Sequence, residues 1–375
     1  MNKRWVWQDA EYPNFKYKIE KLTPMLLEIK YYQGLLTGVY ETINVDEYAF
    51  AKLEILTTEI VDTSAIEGEI LNRNSVRSSL SKKLGIKLNS VDSSDERTDG
   101  LVDILLDATT KYDEKFTKER LFGWHNALFP TGYNSVSKIN VASYRGIEDM
   151  QIVSGAIGKE KIHFVAPPRD ILEKEMDTFF KWINDDRDLS IIKAGIAHLW
   201  FVIIHPMDDG NGRITRALTD MILSKESKQT YKMYSISQAI KDDKKAYYDS
   251  LEKASLYGVE ITEWLEWFLN TLLKALKKSK ENIAIVLEKT LFWDTHKQTV
   301  LSERQMKVLN KLLDIGEENF IGGVNTKKYA SMTRVSKATA SRELKDLVLK
   351  KCLVQNEGTA GRNVSYKIYI ENKEK

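Results

Sequence analysis

Apolar residues recur at helical spacing along most of the chain, and this pattern predicts a mainly α fold. The run AGIAHLWFVII, from Ala194 to Ile204, is almost entirely apolar and predicts a buried helix. An earlier stripe predicts a helix that ends at Gly68, with a core-facing side formed by Phe50, Leu53, Leu56 and Ile60. From about Val102 to Leu276 the helical pattern is interrupted only once.

The interruption lies between Gly146 and Pro167, where a glycine-containing turn separates short apolar stretches. Such a pattern is typical of a β-hairpin. Ile162, His163 and Phe164 come at the end of this hairpin, just before two prolines. A surface hairpin without a function of its own fits the same residues.

The chain divides into three predicted domains. With 375 residues, of which 42% are hydrophobic, it is long enough to bury more than one core. An aromatic-rich start followed by helical patterns predicts a small helical N-terminal domain over residues 1–90. The polar stretch from Asn89 to Gly100 predicts a loop or linker. Residues 100–276 then form the second, larger helical domain.

The third predicted domain covers residues 297–372 and differs from the rest of the chain in its excess of basic residues. From Lys297 onward there are 16 Lys and Arg against 9 Asp and Glu, whereas the rest of the chain has 40 against 45. Three helical patterns followed by two strand patterns predict a winged helix-turn-helix. DNA contacts are expected from its third helix and its wing, at Lys337, Thr339, Arg342 and Arg362. A winged helix used for protein contacts or dimerisation also fits.

The remaining composition restricts where the protein works. A single cysteine excludes a disulfide framework. The first residues lack a signal-peptide pattern, and no apolar run approaches the length of a membrane span. We therefore expect a cytoplasmic protein without a membrane partner.

Residues 205–216, HPMDDGNGRITR, hold the most informative chemistry of the chain. Gly210, Asn211 and Gly212 adopt positive φ at low cost, so their N–H groups can converge on an anion at the start of a helix. Arg213 and Arg216 are three apart on that helix, so both guanidinium groups can reach the same polyphosphate. The segment therefore predicts a phosphate site.

Two further residues of this segment suggest a reaction at that site. The imidazole of His205 can accept a hydroxyl proton at neutral pH. Asp209 is an oxygen ligand of the kind that Mg²⁺ uses beside substrate phosphates. Each feature alone is more often structural, and with five histidines and one cysteine a zinc site has few ligands. Together, within twelve residues, they favour nucleotidyl or phosphoryl transfer to a hydroxyl.

The segment resembles the signature of the Fic family, H-P-F-x-[DE]-G-N-G-R-x-x-R, at eight of its nine specified positions. The departure is Met207, an apolar residue where the family usually has Phe and where packing under the loop is expected. The resemblance implies an all-helical fold and transfer of AMP from ATP to a Ser, Thr or Tyr hydroxyl of a target protein. By position it implies that His205 is the catalytic base and that Asp209 is a Mg²⁺ ligand. It also implies that Gly210, Asn211 and Gly212 form a phosphate cradle, and that Arg213 and Arg216 bind phosphate.

A second segment, TSAIEG from Thr63 to Gly68, is similar to the inhibitory helix pattern [ST]-x-x-x-E-[GN] of many Fic proteins. A Glu followed by Gly at a helix end is also ordinary capping. The resemblance implies that Glu67 pairs with Arg216, which would otherwise hold the γ-phosphate. ATP could then not bind productively, and the enzyme would be autoinhibited.

The same resemblance suggests two more parts of the site. It implies that the hairpin is a flap that aligns a target segment by backbone pairing, with Ile162, His163 and Phe164 at its end. Tyr247 and Tyr248 resemble a tyrosine pair that lines the adenine pocket of the family, although such pairs more often belong to a core.

Several functions remain open at this point. The leading hypothesis is an autoinhibited, Mg²⁺-dependent protein adenylyltransferase that uses ATP on a target not yet known, or on itself. Related hypotheses are transfer of another phosphate-containing group, and removal of AMP with Glu67 aligning a water. A different class is a DNA-binding regulator whose Fic domain senses nucleotide. A homodimer is compatible with each of them.

Overall fold

The fold is mainly helical, as predicted, in a computed structural model. The structure describes residues 5–43, 45–86, 96–134, 137–154, 161–187, 190–229, 232–256, 258–315, 322–359 and 361–370. The helices are α1 Ile19–Thr42, α2 Val45–Ile66, α3 Arg73–Leu84, α4 Glu96–Thr110, α5 Lys118–Leu128, α6 Arg169–Ile183, α7 Ile191–Ile204, α8 Asn211–Ser227, α9 Ile236–Asp242, α10 Lys244–Leu256, α11 Thr262–Thr295, α12 Glu303–Ile315, α13 Thr326–Thr333 and α14 Lys337–Leu349. The strands are β1 Gln151–Ser154, β2 Lys161–Val165, β3 Leu353–Gln355 and β4 Tyr366–Ile368, and short 3₁₀ helices lie at Val6–Gln8 and Gly361–Asn363.

The chain forms two compact units, residues 1–279 and 280–375. In the first unit α7 is buried along its whole length, as its apolar run predicts, and it packs against α8. The N-terminal helices belong to this unit too, because α2 packs against α9 and α3. The loop between the two central helices α7 and α8 carries residues 205–210, so the core of the unit positions the predicted site.

Two details of the N-terminal region differ from the sequence expectations. Phe50 is 48% exposed, and the guanidinium of Arg77 lies 5.6 Å from the centre of its ring, while the other members of the predicted stripe are buried. Residues 96–100, expected in a linker, form the first turns of α4. Gly100 lies close against α5, where an added Cβ would collide with the Ala127 carbonyl. Residues 89–95 lie outside the described part of the chain.

The predicted hairpin is present as β1 and β2, which pair antiparallel with an irregularity between Ile152 and Val153. The residues that connect the two strands, 155–160, lie outside the described part. In the second unit, α12, α13 and α14 precede the antiparallel pair β3 and β4 around a core that includes Val308, Tyr329 and Leu344. This element order is the one expected, and the winged-helix assignment itself stays a prediction. Every helix in the described part of the chain is too short or too polar to span a bilayer.

Candidate functional site

The turn after α7 places His205 in an unusual backbone conformation. His205 ends the helix with φ 49° and ψ 59°, in the left-handed region that side chains seldom adopt. The buried Arg145 holds this turn, since its Nε donates to the His205 carbonyl at 2.9 Å and its backbone N–H to the Pro206 carbonyl at 2.9 Å. The same guanidinium donates to the Pro167 carbonyl, next to the hairpin. Arg145 therefore ties the loop to the base of the flap.

The environment of His205 keeps its imidazole neutral. Burial lowers the pKa of His205 to about 4, and the nearby Arg145 acts in the same direction. Nδ1 lies 3.3 Å from the Val202 carbonyl, which can only accept, so this contact assigns the ring proton to Nδ1. Nε2 then keeps its lone pair. A neutral His with a free ring nitrogen is the form that accepts a proton from a hydroxyl.

The glycine turn that follows makes the start of α8 compact. Gly210 precedes the helix with φ 82°, and an added Cβ would lie 3.0 Å from both Leu128 and Phe129. The Asn211 side chain accepts from the Met207 N–H at 3.0 Å and donates to the Met207 carbonyl at 2.8 Å. Met207 is fully buried, as expected for packing under the loop. The Asn211 amide therefore braces the loop from both sides of Met207.

Glu67 lies at the start of α8, in contact with Arg216. Arg216 is 1% exposed, and its Nη2 donates to Glu67 Oε1 at 2.8 Å. The guanidinium also donates to Thr63, from Nε to Oγ1 at 2.5 Å and from Nη2 to the carbonyl at 2.9 Å. A Cβ at Gly212 would collide with Glu67 Oε1. The carboxylate therefore occupies the position where the first turn of α8 would bind an anion.

Arg213 is held by a second acidic residue that the motif did not indicate. Its side chain is 3% exposed, and Nη1 donates to Glu69 Oε1 at 2.9 Å, while the guanidinium lies 5.1 Å from the Phe129 ring centre. Arg213 Nε and Arg216 Nη1 are buried without a hydrogen-bond partner in the described part of the structure. Buried charged donors without a partner are costly. A phosphate at the start of α8 would offer them an acceptor.

Asp209 is the residue of this loop that best fits a metal ligand. Its side chain is 38% exposed; Oδ2 accepts from Asn134 Nδ2 at 3.1 Å, and Oδ1 accepts from the Gly210 N–H at 2.5 Å. Among the described residues no group of three or more His, Cys, Asp and Glu could hold a metal. Mg²⁺ is commonly bound by one or two carboxylates together with substrate phosphates and water. Asp209 thus fits Mg²⁺ that arrives with a nucleotide.

His125 fixes the loop from α5. The Ala142 N–H donates to His125 Nδ1 at 3.1 Å, which leaves the proton on Nε2 to donate to the Asp209 carbonyl at 3.2 Å. Burial lowers the pKa of His125, so the imidazole stays neutral and can make both bonds. These partners are 17 and 84 residues apart in the chain. No local sequence pattern could indicate them.

Asp208, the neighbour of the predicted metal ligand, organises the segment before the flap. Its Oδ2 accepts from the Asn140 N–H at 2.9 Å, and its Oδ1 accepts from the Gly146 N–H at 3.3 Å. With Arg145, which binds the other side of the turn, Asp208 joins residues 140–146 to the loop. The two adjacent aspartates therefore have different surroundings, and the carboxylate of Asp208 is used for positioning.

The two tyrosines of α10 differ in exposure. Tyr247 is 2% exposed, and its hydroxyl lies 2.9 Å from Nε2 of the fully buried His198. Tyr248 is 41% exposed, with its ring centre 5.1 Å from that of Tyr247. Tyr248 therefore has the accessible ring surface that an adenine contact needs. The role of both residues in binding adenine stays a prediction.

The three residues named at the end of the flap have separate environments. Ile162 is 40% exposed. Phe164 is buried, and its ring packs edge-on against Trp5 with the ring centres 5.5 Å apart. His163 Nδ1 lies 2.7 Å from Glu252 Oε2 on α10. Their side chains therefore differ in exposure, and the role of the three residues in aligning a target by backbone pairing stays a prediction.

Comparison with known families supports the sequence motif. Residues 115–223 match the Fic/DOC family model, and residues 5–86 match a domain of unknown function, DUF4172. A probable protein adenylyltransferase of Aquifex aeolicus is 34% identical over 61 residues, which cover 16% of this chain and 19% of that relative. Protein adenylyltransferase fic-1 of Caenorhabditis elegans is 29% identical over 124 residues, which cover 31% and 23%. The matches therefore span less than a quarter of these relatives.

Solved structures share the fold at low sequence identity. A Fic family protein from Desulfovibrio desulfuricans has a TM-score of 0.51 and 17% identity, with 92% of this chain and 96% of that chain covered. A Fic domain containing signaling protein from Bacteroides thetaiotaomicron has a TM-score of 0.51 and 18% identity, with 70% and 96% covered. At these identities the likeness concerns the fold alone.

Proposed function

This chain carries a Fic/DOC domain at residues 115–223, and we propose that it is an autoinhibited protein adenylyltransferase. The observation that carries the proposal is the neutral His205 beside the first turn of α8, where Arg213 and Arg216 each keep a buried donor that has no hydrogen-bond partner among the described residues. The names of the two relatives support AMP as the transferred group. A base beside a phosphate site is the minimum arrangement for transfer to a hydroxyl.

In the proposed reaction His205 Nε2 takes the proton of a Ser, Thr or Tyr hydroxyl of the target. The hydroxyl oxygen forms a bond to the α-phosphorus of ATP, the bond to the bridging oxygen breaks, and pyrophosphate leaves. Arg213, Arg216 and the N–H groups after Gly210 would hold the phosphates and the charge that develops on them. Mg²⁺ bound through Asp209 would supply further neutralisation of the phosphates.

Glu67 makes this activity conditional in our proposal. Its carboxylate contacts Arg216 and covers Gly212, so it competes with a phosphate for the same guanidinium and the same helix start. Two negative groups cannot share that position without repulsion. Productive binding of ATP would therefore require Glu67 to leave. The same carboxylate could align a water for removal of AMP from a modified target, which is the nearest alternative reaction.

Modification of lysate proteins by the purified Glu67→Gly variant tests the proposal. With ATP and Mg²⁺ present, mass spectrometry is expected to find AMP on Ser, Thr or Tyr of one or a few proteins, the variant itself included. The adducts should be absent when the same variant also carries His205→Ala. An adduct with the mass of another phosphate-containing group would show that the protein transfers that group and not AMP. Adducts that persist without His205 would contradict the proposed mechanism.

The pKa of His205 leads to a separate prediction about pH. A folded-state pKa of about 4 means that the imidazole remains neutral as pH falls from 7, and loses its basic form only near pH 4. In NMR spectra of the protein, the His205 ring signals, assigned by their loss in His205→Ala, should stay unchanged between about pH 7.5 and about pH 5.5. Titration of these signals near pH 6.5, the ordinary value for His, would show that the ring is solvated.

One observation favours a second function for the C-terminal unit. On α14 three basic side chains are exposed, Lys337, Arg342 and Lys345, as a DNA-contacting helix would require. Thr339, also expected to contact DNA, is half-buried near the start of the helix, and the side chain of Arg362 lies outside the described part. This supports DNA binding by the unit, and with it the alternative of a regulator that senses nucleotide.

DNA binding can be tested with the full chain and duplex DNA. We expect retention at low salt that weakens as salt rises, because phosphate contacts release counterions. Changing Lys337, Arg342 and Lys345 to Ala should reduce the slope of log affinity against log salt by about 3. A matched triple change of exposed lysines in the first unit, Lys115, Lys245 and Lys253 to Ala, should leave the slope unchanged. No retention at low salt would favour a role in protein contacts.

A further inference from the structure

A carboxylate on α10 joins the helix of the tyrosine pair to strand β2 of the flap. Glu252 Oε2 lies 2.7 Å from His163 Nδ1, and Oε1 lies 3.4 Å from Lys161 Nζ. Since a carboxylate at neutral pH can only accept, His163 donates from Nδ1. Although burial acts in the opposite direction, the hydrogen bond from His163 and the charge of Lys161 lower the pKa of Glu252. Glu252 therefore remains charged and binds two residues of one strand.

The other end of β2 is held by the N-terminal segment. The indole N–H of Trp7 donates to the Val165 carbonyl at 2.7 Å, and Trp5 packs against Phe164. These contacts involve the last two residues of β2, whereas Glu252 binds near its first residue. Loss of the Glu252 contacts would thus free the start of β2, and the base of the flap would stay in place.

Glu252 and Tyr248 are four residues apart on α10, so they lie on the same side of the helix one turn from each other. The helix thereby carries both the exposed aromatic ring predicted to contact the nucleotide and the group that binds the flap. A short rigid helix keeps the distance between these two points constant. Glu252 therefore connects the start of the flap strand to the helix that carries Tyr248.

We propose that Glu252 is a positioning residue, which holds β2 so that a target segment paired with the flap is presented to the nucleotide. This inference rests on the adenylyltransferase function proposed above. Glu252 contacts no reacting atom in this scheme; it acts through Lys161 and His163. Its effect should appear in transfer to protein and in the order of the flap, and not in the affinity for ATP.

The test compares Glu252→Gln with Glu263→Gln in the full-length Glu67→Gly protein. Glu263 forms an exposed ion pair with Lys253 of α10. Glu263→Gln is therefore the same chemical change as Glu252→Gln, but at a carboxylate that does not contact the flap. We expect Glu252→Gln to lower AMP transfer to lysate proteins about tenfold, the equivalent of losing one charge-assisted hydrogen bond. Calorimetry with a non-hydrolysable ATP analogue should give the same affinity in all three proteins.

Hydrogen exchange provides a readout that does not depend on transfer. The backbone amides of residues 161–163 should exchange at least about tenfold faster in Glu252→Gln than in Glu263→Gln, while those near Val165 remain protected. Unchanged exchange at residues 161–163 would overturn the positioning role, as would a tenfold loss of ATP affinity. If exchange rises but no protein is modified even by the parent Glu67→Gly variant, the proposed transferase function fails and the structural role of Glu252 stands.

Discussion

Replacing His205 with alanine in the Glu67→Gly protein is expected to lower AMP transfer by about 10³-fold, within the range that general bases contribute. The half-buried, neutral imidazole offers Nε2 to the acceptor hydroxyl, and alanine offers no group that can accept its proton. Initial rates of adenylation, measured with a modified lysate protein isolated for the purpose, test this. Because His205 does not belong to the predicted phosphate cradle, the affinity for ATP should change less than about threefold.

The appropriate control is a change at His198, a fully buried histidine within α7. His198→Gln removes an imidazole that binds Tyr247 and Thr219. It should lower the free energy of unfolding, while the rate of AMP transfer per folded molecule should change little. Retention of more than about a tenth of the rate in His205→Ala would exclude His205 as the main base. Loss of ATP affinity parallel to the rate would instead assign His205 to nucleotide binding.

Replacing Glu67 with glycine is expected to raise AMP transfer about 100-fold. If the pairing of Glu67 with Arg216 holds the competent arrangement near one per cent, it must contribute about 2.7 kcal/mol. A charge-assisted contact at 2.8 Å to a guanidinium that is 1% exposed can supply this. Glycine at this position should not interrupt α2, because Glu67 follows the last residue of that helix. Rates of transfer by purified wild type and variant test the expectation.

Two further variants separate charge from general effects of mutation on α2. Glu67→Gln keeps most of the volume over Gly212 but loses the negative charge, so its activity should fall between wild type and Glu67→Gly. Glu54→Gln removes an equivalent carboxylate that pairs with Arg73 and Arg77 away from the site, and it should have no effect. Equal rates for wild type and Glu67→Gly would contradict autoinhibition. Faster removal of AMP by wild type than by Glu67→Gly would favour the reverse reaction.

The sequence predicted the features that depend on neighbouring residues. The apolar run before His205 is the buried helix α7, and the hairpin lies where its pattern placed it. A motif also predicted the pairing of Glu67 with Arg216, whose atoms are 2.8 Å apart in the structure. Its effect on ATP stays a prediction. Short-range patterns carry this information because helix periodicity, glycine turns and motif spacing are all local properties of the chain.

The features that could not be predicted depend on contacts between distant parts of the chain. Arg145 binds the carbonyl of His205, 60 residues away, and Glu252 binds His163, 89 residues away. Neither position has a sequence pattern of its own. The burial of the tyrosine pair could not be predicted for the same reason. The two adjacent side chains on α10 differ in exposure because Tyr247 packs against His198 and Trp267. These residues position the site. A motif therefore indicates the residues that carry the chemistry, but not the distant residues that hold them in place.

The most direct test of the central claim is the position of the label that Glu67→Gly transfers from ATP to protein. Two parallel reactions, one with ATP labelled at the α-phosphate and one with ATP labelled at the γ-phosphate, distinguish AMP transfer from phosphate transfer. We predict label on protein from the α-phosphate alone, at a level well above that of wild type and lost with His205→Ala. Label from the γ-phosphate, or no label on protein from either, would contradict the account.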